Sequence, residues 1–361
     1  MTGVAGTENH LLTLLPSLKA RGLAPSLLVL TEPAKPLDDY VAHLNQLGIP
    51  AAQMEIRRDV DLPLMGRLAA YIRSSGAEAV HTHLIHADWH GIPAARRAGI
   101  KHIYTSGHND DQFRYKLPIR LIQAYLWRRI NAGIAISEAV RQFMLKVEFA
   151  PPRKVHTVHY GYQPQPFDPS LRENFRRELN LPLDAPVFGS VCRLIEQKGL
   201  PYALQSFAAI ADEFPHAYYV LIGDGLLREA LQTQAAALGI ADRIRFAGWR
   251  ADAAARMVAF DVFLMPSLWE GFGLVMLEAM AARLPIIASK VSALPEIVQD
   301  GVTGLLAPPR DVDRLAAHMR YLLRDRQAAQ RMGQAGEARL KAEFSVDKMA
   351  DRTLAVYQSA L

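Results

Sequence analysis

Cysteine is nearly absent: Cys192 stands alone in 361 residues, so no disulfide can form within the chain and a reducing compartment is the simplest home for it. Long apolar runs are missing too, and without about 18 consecutive uncharged apolar residues a membrane-crossing helix is not expected. The opening residues Met1-Thr2-Gly3-Val4-Ala5-Gly6 carry neither a basic region nor an apolar core, so no secretion signal is expected either. These absences together point to the cytoplasm. Acidic residues are scarce in one half only. Residues 1–165 hold 13 of them against 19 Lys and Arg, whereas 166–361 hold 23 against 22, so the excess positive charge belongs to the first half. It gathers at Arg96, Arg97, Lys101, Arg114, Lys116, Arg120, Arg128 and Arg129, with Asp110 and Asp111 as the acids in that window.

The segment 114–129 mixes those bases with Tyr115, Leu117, Leu121, Ile122, Tyr125 and Trp127. Such a mixture suits either a helix lying at an anionic membrane surface or a domain helix with a solvated basic face. No nucleic-acid motif accompanies it, so nucleic acid is not an expected partner.

Half of the residues are hydrophobic, enough for two cores, and the length suits two domains. Apolar runs alternate with helical patterns throughout, the signature of an α/β class with parallel sheets. Strands are expected at 26–30, 79–83, 101–105 and 132–136, then at 187–191, 217–222, 244–247, 262–265 and 285–288. Between the halves, the Pro-rich stretch from Tyr160 to Pro169 reads as a linker. The expected division is 1–162, 163–343, and a helix in 344–361 that returns to the first domain. Two doubly wound domains facing a cleft would follow, with ligands at the carboxyl ends of the strands. The first domain holds one oddity. A glycine-containing loop, Gly3 to Thr7, precedes a helix beginning near Glu8, yet no strand leads into it. A doubly wound sheet normally places its central strand there, so the first strand is expected to be missing or to lie upstream.

Glu270-Gly271-Phe272-Gly273-Leu274-Val275-Met276-Leu277-Glu278 follows the apolar run Val262–Met265 and its stop at Pro266-Ser267. Gly271 and Gly273 allow close backbone approach. The helix beyond presents free N–H groups and partial positive charge to an anion. Glu270 and Glu278, on either side, would accept hydrogen bonds from sugar hydroxyls, or serve simply as a helix N-terminal charge and a solvated one. A second anion site is suggested where Gly189 to Gly199 places Arg193 and Lys198 after a strand, positioned to neutralise a pyrophosphate. Gly223-Asp224-Gly225 is a further tight turn, although Arg228 occupies the position of a third glycine in the dinucleotide fingerprint.

Taken in order, these segments, with Phe246-Ala247-Gly248, Pro285 to Ala288, Leu294 to Val298 and Asp300 to Leu306, resemble the retaining glycosyltransferases of family 4, which have the GT-B fold. Gly6-Thr7-Glu8, Val80 to His83, Thr105 to His108 and Ile134 to Glu138 extend the resemblance over nearly the whole chain. It implies transfer of a sugar from a nucleoside-diphosphate-sugar to an acceptor hydroxyl, with no metal or other cofactor. Arg193 and Lys198 match the basic pair on the diphosphate. Glu270 and Glu278 match the Glu-x7-Glu motif, the first by the donor sugar and the second at the ribose. Gly271, Phe272, Gly273 and Leu274 would hold phosphate or sugar oxygens through their N–H groups. Gly6 would approach the diphosphate, and His108 the sugar on the acceptor side. Glu270, His108, Arg193 and Lys198 are thus the implied catalytic set. Two departures are Ser292-Ala293, where Gly-Gly is frequent, and the absent first strand.

His81, His83, His86 and His90 resemble metal ligands in spacing, but no cysteine or acid cluster completes a set. Cys192 reads as a small buried residue. The expected acceptor is a saccharide or lipid-linked precursor of glycolipid, lipopolysaccharide or surface polysaccharide, met at the inner face of the membrane. A soluble small acceptor, or a non-catalytic nucleotide-sugar-binding protein, remains open.

Overall fold

The computed structural model describes residues 6–359 except 60, 167 and 169, and Gln112 without its side chain; the expected loop at 3–5 therefore lies outside the described residues. The chain divides into two units, Met1–Gln163 with Ser345–Leu361, and Pro164–Phe344.

The first unit carries β1 (Leu27–Thr31), β2 (Ala51–Glu55), β3 (Ala79–His83), β4 (His102–Gly107), β5 (Ala132–Ala135) and β6 (Val155–Thr157). They form two separate parallel sheets, β1-β2 and β3-β4-β5-β6. The first helix, Gly6–Ala20, buries Leu11, Leu14, Leu15 and Leu18. Leu11 and Leu15 meet Val29, Tyr40 and Leu44, whereas Leu14 and Leu18 meet Tyr104 and Ile134. The terminal helix Val346–Ser359 joins that second cluster through Val346, Met349, Ala350 and Val356. Arg21 fastens the two helices, donating to Asp347 at 2.9 Å and Asp351 at 2.6 Å.

The second unit holds β7 (Val187–Val191), β8 (Tyr218–Ile222), β9 (Ile244–Gly248), β10 (Val262–Met265), β11 (Ile286–Ser289) and β12 (Gly304–Ala307). All are parallel, in the order β12-β11-β10-β7-β8-β9. This is a doubly wound Rossmann-like sheet. Covered on both faces, its central strands need no alternation, which is why Val262-Phe263-Leu264-Met265 is apolar throughout. β2, β6 and β12 lie outside the strands expected from sequence. Ala51-Ala52-Gln53-Met54-Glu55 and Val155-His156-Thr157 are short, and neither contains the apolar run that marks a fully buried strand.

Candidate functional site

Strand order reverses between β7 and β10, which are neighbours although β8 and β9 intervene in sequence. Connections leaving their carboxyl ends therefore run apart, and such a point opens a crevice. Arg193 and Lys198 follow β7, and Ser267 to Gly273 follow β10. Lys198 donates its Nζ to Glu270 Oε1, and Ser267 Oγ donates to the same oxygen at 3.0 Å. Glu270 is buried, 6% exposed, so its charge is held by a cation and a hydroxyl rather than by water.

The backbone locks this pair in place. Gly199, at φ +62°, lies so close to the other loop that a Cβ would stand 2.0 Å from Pro266 O. The Leu268 N–H donates to Gln197 O at 2.7 Å, and Gln197 Nε2 donates to Trp269 O at 3.0 Å. Arg193 is exposed at the same strand end and forms no ion pair with a described residue. Lys198, Glu270 and Arg193 all act electrostatically on Cys192, although burial dominates and pushes its thiol up to about 12. The raised value favours the protonated thiol at neutral pH, and Cys192 is half-buried.

Gly273, at φ +92°, opens the helix Leu274–Ala281, and no side chain caps it. The first-turn N–H groups of an α-helix have no intrahelical acceptor, so those of Leu274 and Val275 form an anion-ready end one turn from Glu270. Phe272 anchors the turn, buried and edge-on to Phe344 with ring centroids 6.0 Å apart. Farther along this helix Glu278 is partly exposed, yet the protein atoms around its carboxyl group strip enough hydration to raise its pKa to about 7.

Gly6 and His108 belong to the first unit, whereas Arg193, Lys198, Glu270 to Leu274 and Glu278 belong to the second. His108 is buried, bonded at Nδ1 to Tyr160 Oη (2.5 Å) and at Nε2 to His83 Nδ1 (2.9 Å). Thr7, beside Gly6, bonds Tyr160 in turn, and His10 stacks on the Tyr160 ring at 4.3 Å. His81 bridges Tyr357 Oη (2.7 Å) and Ser106 Oγ (2.8 Å). Burial, reinforced by mutual repulsion, lowers His10, His81 and His108, and burial lowers His83 to about 4. The cluster is uncharged at neutral pH. Among the described residues no group of three or more His, Cys, Asp or Glu is arranged to hold a metal ion. Sequence reading missed the Tyr160 and His10 contacts, because Tyr160 sits in the apparent linker and His10 in an amphipathic helix with no motif.

The basic segment shows an unusual helix. In Leu117–Trp127 the outward side is apolar, with Leu117 61%, Leu121 58% and Tyr125 51% exposed, while Gln123 is buried. Lys116, Arg128 and Arg129 are exposed around it. Arg114 is not part of that basic surface: it is buried and paired with Glu148, which also accepts from Trp127 Nε1 at 3.2 Å. No helix among the described residues is long and apolar enough to cross a membrane.

Residues 172–339 match the family model for glycosyl transferases group 1, and residues 4–165 that for Glycosyltransferase Family 4. The lipopolysaccharide core biosynthesis glycosyltransferase LpsE of Rhizobium meliloti is 32% identical over 51% of this chain and 53% of its own length. The GDP-mannose-dependent alpha-(1-6)-phosphatidylinositol monomannoside mannosyltransferase of Mycobacterium tuberculosis is 31% identical over 72% of this chain and 70% of its own. An uncharacterized glycosyltransferase of Methanocaldococcus jannaschii is 29% identical over 63% of this chain and 60% of its own length, so the chain spans less than two thirds of the length of two of these relatives. The crystal structure of Anabaena HepE in complex with UDP superposes with a TM-score of 0.87, at 22% identity, covering 100% of this chain and 98% of that one. Its likeness establishes the fold as GT-B, with two Rossmann-like domains.

Proposed function

The chain belongs to the family-4 glycosyltransferases, and we propose that it moves a sugar from a nucleoside-diphosphate-sugar to an acceptor hydroxyl with retention of anomeric configuration. One observation carries this reading: Lys198, Glu270 and Ser267 converge beside the uncapped end of the Leu274–Ala281 helix, at the strand reversal. An anion and a polyhydroxylated ring can be gripped there together. The diphosphate would take the Leu274 and Val275 N–H groups, Arg193 and Lys198. Glu278 would accept from the ribose hydroxyls.

As the bond between C1 and the phosphate oxygen breaks, negative charge grows on the leaving diphosphate and positive charge on the sugar. Lys198 is poised for the first and Glu270 for the second. The leaving phosphate oxygen takes the acceptor's proton, and the new C1–oxygen bond forms on the face it vacates. Glu270 need not form a covalent bond, and in this reading Arg193, Lys198 and the helix end supply the positive charge without a metal. The acceptor falls to the first unit, with His108.

A lipid-linked acceptor is favoured by the outward apolar side of the Leu117–Trp127 helix and its basic surround. Apolar side chains enter the headgroup boundary while Lys and Arg meet anionic lipid, which would place the protein peripherally at the inner face of the membrane. Lipopolysaccharide core and phosphatidylinositol monomannoside, named for the two relatives, are the kinds of acceptor envisaged.

Thermal-shift screening with UDP-, GDP- and ADP-sugars identifies the donor, since a ligand at 100 times its Kd adds about 2.7 kcal/mol. Slow hydrolysis of that donor should then fall about 100- to 1,000-fold in Lys198→Ala. Unchanged hydrolysis would remove the assignment of this crevice as the donor site.

A further inference from the structure

Three histidines of the first unit gather toward the carboxyl ends of neighbouring strands, His81 and His83 on β3 and His108 directly after β4. Ligands of doubly wound sheets meet such ends. Burial lowers all three below the ordinary histidine value, so each ring is neutral at neutral pH and carries one N–H and one bare nitrogen. Their hydrogen bonds leave them unequally free. His108 is buried and engages both nitrogens inside the protein, with Tyr160 Oη and with His83 Nδ1. His81 engages both as well, with Tyr357 and Ser106. His83 is half-buried, and its Nε2 bonds no described residue.

The far end of this chain sets the order of its protons. Burial pushes the Tyr160 hydroxyl well above the ordinary phenol value, so it keeps its proton, and Thr7 bonds the same oxygen. Between that oxygen and an imidazole nitrogen the nitrogen is the stronger base, since it takes up a proton near about pH 6.5 and a neutral phenol does not. Tyr160 therefore donates to His108 Nδ1, at 2.5 Å. The nitrogen that holds the proton of an imidazole is fixed by the bond its other nitrogen makes. With Nδ1 accepting, the His108 proton sits on Nε2 and is donated to His83 Nδ1 at 2.9 Å. With that nitrogen accepting in turn, His83 carries its own proton on Nε2. The open corner of the chain is thus an N–H, and neither ring keeps a bare nitrogen for a ligand's proton.

We propose that His83 is the ligand-contacting imidazole of the first unit, its Nε2–H donating to a hydroxyl oxygen of a saccharide, while His108 and Tyr160 are positioning residues that fix this proton. The role that the resemblance gave to the side chain of His108 passes to His83, because both polar atoms of His108 are already engaged. An uncharged N–H suits a neutral hydroxyl, whereas a phosphate would call for a cation. The saccharide rests on the glycosyl-transfer reading above; the order of protons does not. Such a donor orients a hydroxyl without deprotonating it. The acceptor's proton then leaves by another route, which in that reading is the departing phosphate.

Ring-nitrogen NMR of the histidine-labelled protein reads each tautomer directly. At neutral pH, His83 and His108 should both be in the Nε2–H form. Tyr160→Phe removes the first donor and keeps a ring for His10 to stack on, so both pure signals should become mixtures of the two tautomers, with His81 unchanged. Titration with methyl α-D-mannopyranoside and methyl α-D-glucopyranoside should move His83 Nε2 more than any other histidine nitrogen. In Tyr160→Phe the same titration should weaken about twofold if half of the His83 rings lose the outward proton. An Nδ1–H form of His83 in the wild type, tautomers or glycoside affinity unmoved by Tyr160→Phe, no glycoside shift at His83, or a larger one at His108 or His10 would each overturn the proposal. If instead Lys198→Ala leaves donor hydrolysis unchanged, the transfer reading fails by itself and the tautomers stand.

Discussion

At Glu270, a buried carboxylate is held by a lysine that the donor's phosphates would also claim. Removing the carboxylate's charge frees Lys198 for the diphosphate but deprives the sugar of its partner. Glu270→Gln should therefore bind UDP about tenfold more tightly, about 1.4 kcal/mol, while transfer falls at least about 100-fold; titration calorimetry beside a turnover assay separates the effects. Weaker UDP binding would show that Glu270 positions Lys198 rather than competing for it. Glu278 makes a pH prediction. An unfolded glutamate ionises near 4.5 and this one near 7, so between those values the folded chain keeps a proton the unfolded chain has lost. Stability is unpenalised below 4.5 and declines as pH rises through 7, by a cost approaching about 3 kcal/mol. Glu278→Gln should thus have the wild-type Tm near pH 4.5 and a higher one at pH 8, provided Gln packs as Glu does. Ribose hydroxyls would favour the ionised form, so UDP binding should release a proton near pH 6.5. A Tm difference that ignores pH would contradict the burial argument.

Elements were legible where the sequence carries uninterrupted apolar runs. Tyr218–Ile222 and Val262–Met265 read directly as buried strands, and Val187–Val191 reads as one despite Gly189 and Ser190 within it. β2 and β6 did not, because their pairing partners rather than their composition hold them in place. The Glu270-to-Glu278 turn was readable for the same local reason, since glycines, carboxylates and helix start are contiguous. Its closure with Lys198 was not, because it depends on β10 lying beside β7. Gly199 tests that closure. Gly199→Ala drives a methyl group against Pro266 O in a backbone conformation L-residues avoid, at a cost of roughly 1–3 kcal/mol. Circular dichroism should show a lower Tm, and donor hydrolysis should fall even below the melting range. The Leu117–Trp127 helix is testable as a unit. Leu121→Ser with Tyr125→Ser should cut sedimentation with phosphatidylglycerol-rich vesicles at least about fivefold at low salt, leaving donor hydrolysis intact. Full binding by the double variant would assign that surface to something other than lipid.

At the scale of the whole chain, Arg193, Lys198, Glu270 to Leu274 and Glu278 are all parts of Pro164–Phe344, which has its own sheet and core. That gathering follows from a strand order sequence can suggest but not fix, since the reversal at β7 depends on which side of the sheet the chain returns to. It makes a spatial prediction for UDP, which offers a diphosphate and a ribose without the transferred sugar. Amides should slow in exchange at 192–199 and 270–278, the two segments that meet at the reversal. At 100 times the Kd the stabilisation of about 2.7 kcal/mol corresponds to roughly 100-fold slower exchange for amides that open only with the unit as a whole. Core amides of β7 and β10 should share that slowing, because their opening requires the loss of the site. Protection confined to 223–228, at the glycine turn after β8, would instead move the phosphates to the neighbouring strand end and leave Lys198 and Glu270 as a structural ion pair.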